Sequence, residues 1–266
     1  MLKITILGAS GRMGQSILRC TKESTDIEIV GAVTEPDDAA IGSDVGEVCG
    51  VGPLNVFLTD DCESALQNAD VAIDFTLPSA TKENIRACIA TNTALVIGTT
   101  GLGNEERKFL ESGAKKIPLL YGRNMSVGMN VFMDLVSRTS KSLGIDYDVE
   151  ITEAHHQRKI DSPSGTAIAL GELIAETRGD ELTDVAVYER HGDVGARTPG
   201  SIGFSVIRAG NIVGDHTVLF GGPEECIELT HRAVDRMAFA HGALRAARWL
   251  TGRKAGFYTM ANVLDL

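Results

Sequence analysis

No run of apolar residues in this sequence is long enough to cross a bilayer, which takes about 20 in succession. No membrane partner is expected. Positive charge is also short: 25 lysines and arginines stand against 36 acidic residues, a formal net charge of −11. A nucleic-acid backbone is held by clustered cations that displace counterions. No nucleic acid is therefore expected as a partner, while small charged metabolites stay within reach of local basic sites. Paired cysteines are missing as well. Cys20, Cys49, Cys62, Cys88 and Cys226 are odd in number, scattered, and form no Cys-x-x-Cys. That pattern speaks for free thiols in a reducing cytosol rather than a disulfide framework. The N-terminal apolar segment runs into a glycine turn instead of a signal-peptide cleavage site, and the chain is expected to be mature and cytoplasmic. No internal repeat or low-complexity segment is evident. What is present is 43% hydrophobic and 23% charged over 266 residues, enough for one large or two modest globular domains with a real core.

The β-branched run Leu2–Leu7 reads as a strand, breaks at Gly8-Ala9-Ser10-Gly11-Arg12-Met13-Gly14 and continues as helix through Leu18. Glycines spaced G-x-x-G-x-x-G between strand and helix are a variant of the dinucleotide fingerprint: missing side chains let backbone approach a pyrophosphate at the helix start. A tight structural turn is the alternative. The context favours a cofactor, because Ile27–Val33 reads as a second strand and Glu35 follows where an acidic residue bonds the adenosine ribose. That carboxylate would repel a 2′-phosphate, and Pro36, Asp37 and Asp38 bring no cation to neutralise one. NADH is therefore favoured, with Arg12 able to reach a 2′-phosphate and keep NADPH usable.

Strand patterns then recur at 55–58, 71–77, 95–100 and 117–121, separated by helical patterns at Thr81–Ala90 and 105–115. Strand and helix in alternation predict a parallel, doubly wound sheet. Loops that leave the carboxyl ends of such strands line one crevice. The exits Asp74-Phe75-Thr76, Gly98-Thr99-Thr100-Gly101 and Gly122-Arg123-Asn124-Met125 are thus expected to present backbone amides to a nicotinamide ring. After Ser126 the rhythm changes to a helix through about Leu143, a strand at 147–152, a loop and helix, and strands near 185–189, 203–208, 217–220 and 226–230. Such crowding predicts an α+β domain whose sheet need not be parallel. The segment 190–200 reads as a long loop, either an active-site flap, a protein contact or a mobile surface stretch. A helix from Arg236 through Leu250 and the tail 257–266 are expected to return to the first domain.

The stretch richest in chemistry runs from Glu153 to Ala167. Ser162 or Ser164 is expected to cap a helix over 167–176, with Pro163 in its first turn. The N–H groups of Gly165 and Thr166 would then point outward to a carboxylate or phosphate, with Lys159 adding a full charge. His155 and His156 supply an acid near neutral pH. A zinc site fits poorly, since the two histidines are adjacent and lack a spaced Cys or third His.

These motifs, with Asn124-Met125-Ser126-Val127-Gly128, Glu153-Ala154-His155-His156, Ser164-Gly165-Thr166-Ala167 and His231-Arg232-Ala233, resemble the dihydrodipicolinate reductase family along almost the whole chain. The resemblance implies a Rossmann domain over 1–125 and 236–266, and a substrate and tetramerisation domain with a mostly open mixed sheet over 126–235. It also implies reduction of a dicarboxylated cyclic imine by NADH or NADPH in lysine and diaminopimelate synthesis, by a homotetramer. Within it, His155 and Lys159 stand at the catalytic positions, and His156, Gly165 and Thr166 hold substrate. Arg123, Ala209 and Pro36 depart from the family pattern, which touches cofactor choice and loop detail more than reaction type. Two other readings explain less. Another Rossmann amino-acid or semialdehyde dehydrogenase does not account for the His-His-x-x-Lys loop, and a dinucleotide-sensing protein without catalysis needs neither His155 nor Lys159.

Overall fold

The computed structural model describes residues 1–22 and 24–266. In chain order the first elements are β1 (Leu2–Leu7), α1 (Arg12–Lys22), β2 (Ile27–Val33), α2 (Val45–Val48), β3 (Leu58–Thr59), α3 (Cys62–Leu66) and β4 (Val71–Asp74). They continue as α4 (Thr81–Ala90), β5 (Ala94–Ile97), α5 (Asn104–Ala114), β6 (Pro118–Tyr121), α6 (Val127–Leu143), β7 (Asp148–His155) and α7 (Gly165–Arg178). The last are α8 (Leu182–Val185), β8 (Ala186–Val187), β9 (Ile202–Arg208), β10 (Gly214–Gly221), β11 (Cys226–Ala233), α9 (Met237–Leu250), β12 (Gly256–Tyr258) and α10 (Met260–Leu264). Two compact units result, Met1–Val127 with Met237–Leu266, and Gly128–Arg236. No helix among the described residues is long and apolar enough to cross a membrane.

The first unit is built on a seven-stranded sheet in the order β12-β6-β5-β4-β1-β2-β3, parallel throughout. Strands buried on both faces alternate their side chains between two cores. Ile4 and Ile6 of β1 face one core with α1 and α9, and Leu7 faces the other with α4 and α5. The chain winds outward from β1 through β2 and β3, then crosses back to β4. The switch point therefore falls between β1 and β4, where Leu7 pairs with Asp74. The sequence pattern placed three strand boundaries wrongly here. Asn55 has φ 57, a left-handed conformation unsuited to a strand, and the Asp44 carboxylate draws in the Leu54 and Asn55 amides, so β3 begins only at Leu58. Strands expected to reach residues 77 and 100 stop at Asp74 and Ile97, where the Asp74 carboxylate draws in the Thr76 N–H past the first end and the Thr99 hydroxyl past the second.

In the second unit the sheet order is β11-β10-β7-β9-β8, antiparallel across β11, β10 and β7 and parallel across β7, β9 and β8. One face carries Val149, Ile151, Phe204, Val218 and Phe220 into a core with Met129, Phe132 and Val136 of α6 and Leu170 and Ile174 of α7. The strand expected near 185–189 opens as the helical turn α8, leaving only Ala186 and Val187 in the sheet. The 190–200 loop is tied to the sheet: Arg190 bonds both Glu150 oxygens at 2.9 and 2.8 Å, and Arg197 bonds Glu150 and the Val149 and Ser201 carbonyls.

α9 reaches the first core through Ala243, Leu244, Ala247 and Leu250, and its Gly242 lies against backbone: a Cβ there would stand 1.7 Å from the Met125 carbonyl oxygen. Gly242→Ala is expected to lower stability by about 1–3 kcal/mol through overpacking, outweighing the roughly 1 kcal/mol that alanine gains in helix propensity. Chemical denaturation of both proteins measures this, and an unchanged midpoint would contradict the close approach.

Candidate active site

The glycine loop leaves β1 at the switch point. Gly8 has φ 81, and a Cβ on it would meet the Phe75 carbonyl oxygen at 3.0 Å; a Cβ on Gly14 would lie 2.3 Å from the Gly8 oxygen. Bare backbone is thus required where α1 starts, and the loop fits a pyrophosphate. Ala9 is buried, Gly11 and Arg12 are exposed, and Met13 is half-buried against the core. The Ser10 hydroxyl is 2.6 Å from that of Thr34, which in turn donates to Asp38 at 2.5 Å. Hydrogen bonds from Ser10 and Thr34, with the Ala40 N–H, hold the Asp38 carboxyl below the usual range. Glu35 stands exposed just past β2. Asp38, which sequence reasoning counted only as a missing cation, is therefore the acidic group joined to the fingerprint loop itself.

The exits of β4 and β5 are locked together by Asp74, which is fully buried. Its carboxylate accepts from the Thr76 N–H and hydroxyl at 2.8 and 2.7 Å, from the Asn84 amide at 3.0 Å and from the Thr99 hydroxyl at 3.2 Å. Burial raises its pKa despite these bonds. The Phe75 ring occupies the place a side chain at Gly98 would take, 2.3 Å from an ideal Cβ. Of the residues expected at the nicotinamide, Thr100 and Arg123 are exposed, Gly122 and Asn124 half-buried, and Gly98 and Thr99 buried. The Asn124 side chain accepts from the Ser126 N–H at 2.9 Å. Met125 sends its side chain into the core, so a role in cofactor binding falls to its backbone.

The second cluster gathers at the carboxyl end of β7. Alternation puts Glu153 and His155 on the same face of that strand, so His155 belongs to the strand rather than to the loop that follows. Pairing places His216 of β10 opposite Glu153 and Arg208 of β9 opposite His155. The buried Glu153 accepts from His155 Nδ1 at 2.5 Å, from both Arg208 terminal nitrogens at 2.7 and 2.8 Å, and from the Ser164 N–H at 2.9 Å. Burial works to raise its pKa, but the Arg208, His155 and Ser164 bonds prevail and keep it below the usual range. An ionised carboxylate only accepts, so Nδ1 carries a proton and Nε2 takes no part in this bond. Gly214 keeps the space beside it: a Cβ there would come within 3.0 Å of Nε2.

His216 packs edge-on against His155 with ring centroids 5.2 Å apart, and lies 3.1 Å from the Ser164 hydroxyl. Burial, then the charge of His155, pulls its pKa down to about 4, leaving it neutral at physiological pH. Ser164, not Ser162, caps α7 by accepting from the Ala167 N–H, and Pro163 stands before the cap rather than in the first turn. Beyond its chain neighbours and its own helix nothing lies within 4 Å of a Cβ built on Gly165, so that side of the first turn has room, with Thr166 half-buried beside it. Lys159 pairs with Asp161 at 2.8 Å. His156 has a buried Nδ1 without a hydrogen-bond partner, and burial, then Arg158 and Arg236, lower its pKa. Glu153, Arg208 and His216 were missed as site residues. Only Glu153 had a local signal, standing two positions before a histidine in a strand pattern. Among the described residues no cluster of metal-ligating side chains forms.

A chain that turns through bare glycines off the first strand of a parallel sheet, and carries its proton-bearing groups on a separate mixed sheet, is built as a Rossmann-type two-unit oxidoreductase. The family models described as dihydrodipicolinate reductase, N-terminus and C-terminus, match residues 2–125 and 128–264. The chain belongs to the dihydrodipicolinate reductase family. It is 50% identical over 264 residues, 99% of both chains, to a protein of Alkalilimnicola ehrlichii named 4-hydroxy-tetrahydrodipicolinate reductase. The dipicolinate-bound dihydrodipicolinate reductase of Paenisporosarcina sp. TG-14 is similar in fold, with a TM-score of 0.78 at 24% identity and coverage of 98% of this chain and 99% of that one. An amine dehydrogenase of Mycobacterium smegmatis shares the fold more loosely, with a TM-score of 0.59 at 14% identity, covering 97% and 95% of the two chains.

The Glu153 cluster sets an acid limit on stability. Its pKa in the fold lies below the ordinary 4.5, so its contribution is complete above that pH and is lost as pH falls through the depressed value. The urea midpoint of the wild type is expected to drop from pH 6 to pH 3. Glu153→Gln should begin lower at pH 6 and decline less steeply; parallel slopes would show that this carboxylate does not carry the dependence.

Proposed function

We propose that this chain reduces 4-hydroxy-tetrahydrodipicolinate (dihydrodipicolinate) to tetrahydrodipicolinate with NADH or NADPH, in the cytoplasm, as a step of the diaminopimelate route to lysine. The observation that carries this reading is the Glu153 carboxylate, which holds His155 with one oxygen and the Ser164 N–H at the start of α7 with the other, in a chain half identical end to end to a relative of that name. The fingerprint loop from Gly8 to Met13, Glu35, and the backbone at Gly98–Thr100 and Gly122–Met125 would hold the nicotinamide cofactor, which supplies hydride when bound.

The chain's own groups do the rest. Glu153 fixes the ring of His155 through Nδ1–H, so that the imidazolium form delivers the proton on Nε2 to the reduced ring and is left as the neutral Nδ1–H imidazole. Arg208 balances the Glu153 charge and bonds the Asp161 carbonyl, which holds the loop carrying Lys159. Glu153 and Arg208 are thus positioning residues. Lys159 meets a ring carboxylate and the negative charge that builds on the substrate, and the Gly165 and Thr166 amides take a carboxylate without a counterion. His156 adds a binding contact. Dipicolinate, the compound bound to the Paenisporosarcina relative, is a ring with two carboxylates, in keeping with this division.

NADH is the favoured cofactor. Glu35 and Asp38, whose pKa is lowered, would meet the adenosine end with no cation between them in the sequence, while Arg12 would keep NADPH usable. The chain works as a homotetramer: the edge strand β11 has no buried side chain, an open sheet edge that invites pairing.

Purified protein incubated with NADH and freshly generated cyclic imine should consume nicotinamide absorbance. His155→Ala should lower turnover by about 10²–10⁴-fold with a smaller change in KM, the usual cost of losing a positioned acid. Wild-type single-turnover rates in that variant, with circular dichroism unchanged, would remove His155 from the chemistry. In titrations of both cofactors NADH should bind at least as well as NADPH, and Glu35→Ala should weaken NADH selectively. A strong wild-type preference for NADPH would defeat the argument from the acidic turn.

A further inference from the structure

Of the groups in the second cluster, Asp161 has no place in the chemistry above. Its carboxylate nevertheless stands on two of the groups assigned to the substrate. Lys159 Nζ lies 2.8 Å from Asp161 Oδ1, and the Gly165 N–H helps Lys159 to lower the pKa of that carboxylate. The Asp161 side chain is 52% exposed while that of Lys159 is 21% exposed, so the carboxylate approaches the amine from the solvent side, as a free anion would. Its backbone stays put for a separate reason, since Arg208 donates to the Asp161 carbonyl at 2.7 Å. The side chain is therefore free to rotate away without unmooring the loop.

We propose that Asp161 is a built-in stand-in for a substrate carboxylate, occupying Lys159 and the α7 start until a dicarboxylate displaces it. The inference rests on the reading that Lys159 and the helix start receive the substrate. An exposed ion pair holds weakly, so a ligand with two carboxylates outcompetes it, whereas anions with a single carboxylate gain little over the resident group. Asp161 thus sets a threshold for ligand affinity and selects for dicarboxylates, at a cost in binding strength.

The test is calorimetric titration of the full chain with pyridine-2,6-dicarboxylate and with pyridine-2-carboxylate, at fixed cofactor concentration and low salt. Lys159→Ala should weaken the dicarboxylate. Asp161→Asn, which keeps the size and an acceptor for the Gly165 N–H, should tighten it by about two- to fivefold, the span of a surface ion pair. The monocarboxylate should tighten at least as much. Asp161→Ser should act in the same direction, and in the double variant Lys159→Ala/Asp161→Asn most of the gain should vanish. If Lys159→Ala weakens binding but both Asp161 variants bind the dicarboxylate no better than wild type, the stand-in is refuted and the substrate reading stands. If Lys159→Ala changes nothing, the substrate reading itself fails and the stand-in falls with it.

Discussion

A carboxylate taken out of water must have its charge answered, and the second unit is arranged around one such answer. Glu153 sits on the core face of β7, where an apolar side chain would otherwise continue the row from Val149 and Ile151. Three elements converge to satisfy it: β9 brings Arg208, α7 brings the Ser164 N–H, and β7 itself brings His155. Each partner gains a fixed position in return. The cost of an unpaired buried charge makes the three placements mutually dependent. A lost Arg208 would free both the imidazole and the loop that carries Lys159.

The first unit meets the same requirement differently. Asp74 is more completely enclosed than Glu153, yet it forms no salt bridge among the described residues; two hydroxyls, an amide side chain and a backbone N–H share the work. Neutral dipoles compensate less than a guanidinium does, and the two carboxyls accordingly shift in opposite directions. One is built to stay charged beside an imidazole. The other serves as a knot that joins two strand exits and the start of a helix.

How much of this could be read in the chain follows the range of the interactions involved. The parallel sheet was legible because periodicity and glycine turns are local signals, and Ile27–Val33 and Thr81–Ala90 fall where their patterns put them. The fold class and the family were both legible. Strand ends near 77 and 100 were not, because a side-chain carboxylate gathers the groups just past them and apolar patterning does not register it. At the site, the run from His155 to Thr166 announced itself through composition. Arg208 and His216 did not, for strand pairing brings them to Glu153 from 55 and 63 residues away in sequence, and register between distant strands leaves no local trace. Asp161 was legible as a residue but not as a partner, since an ion pair two positions away depends on the turn that the loop takes.

The division of the first unit into two sequence segments bears on how the chain is made. Residues 1–127 hold six of the seven strands, yet α9 and β12, which cover one core and complete the sheet, are encoded only after the whole of Gly128–Arg236. At about 5–20 residues per second, synthesis of the intervening unit leaves the α9 face of the nascent sheet uncovered for roughly 5–20 seconds. Ile73, Val96 and Leu120 on β4, β5 and β6, with Ile17 and Leu18 on α1, lack that cover through the interval. A ribosome that stalls within the second unit would release a fragment whose apolar flank has no cover of its own, an obvious substrate for chaperone or protease.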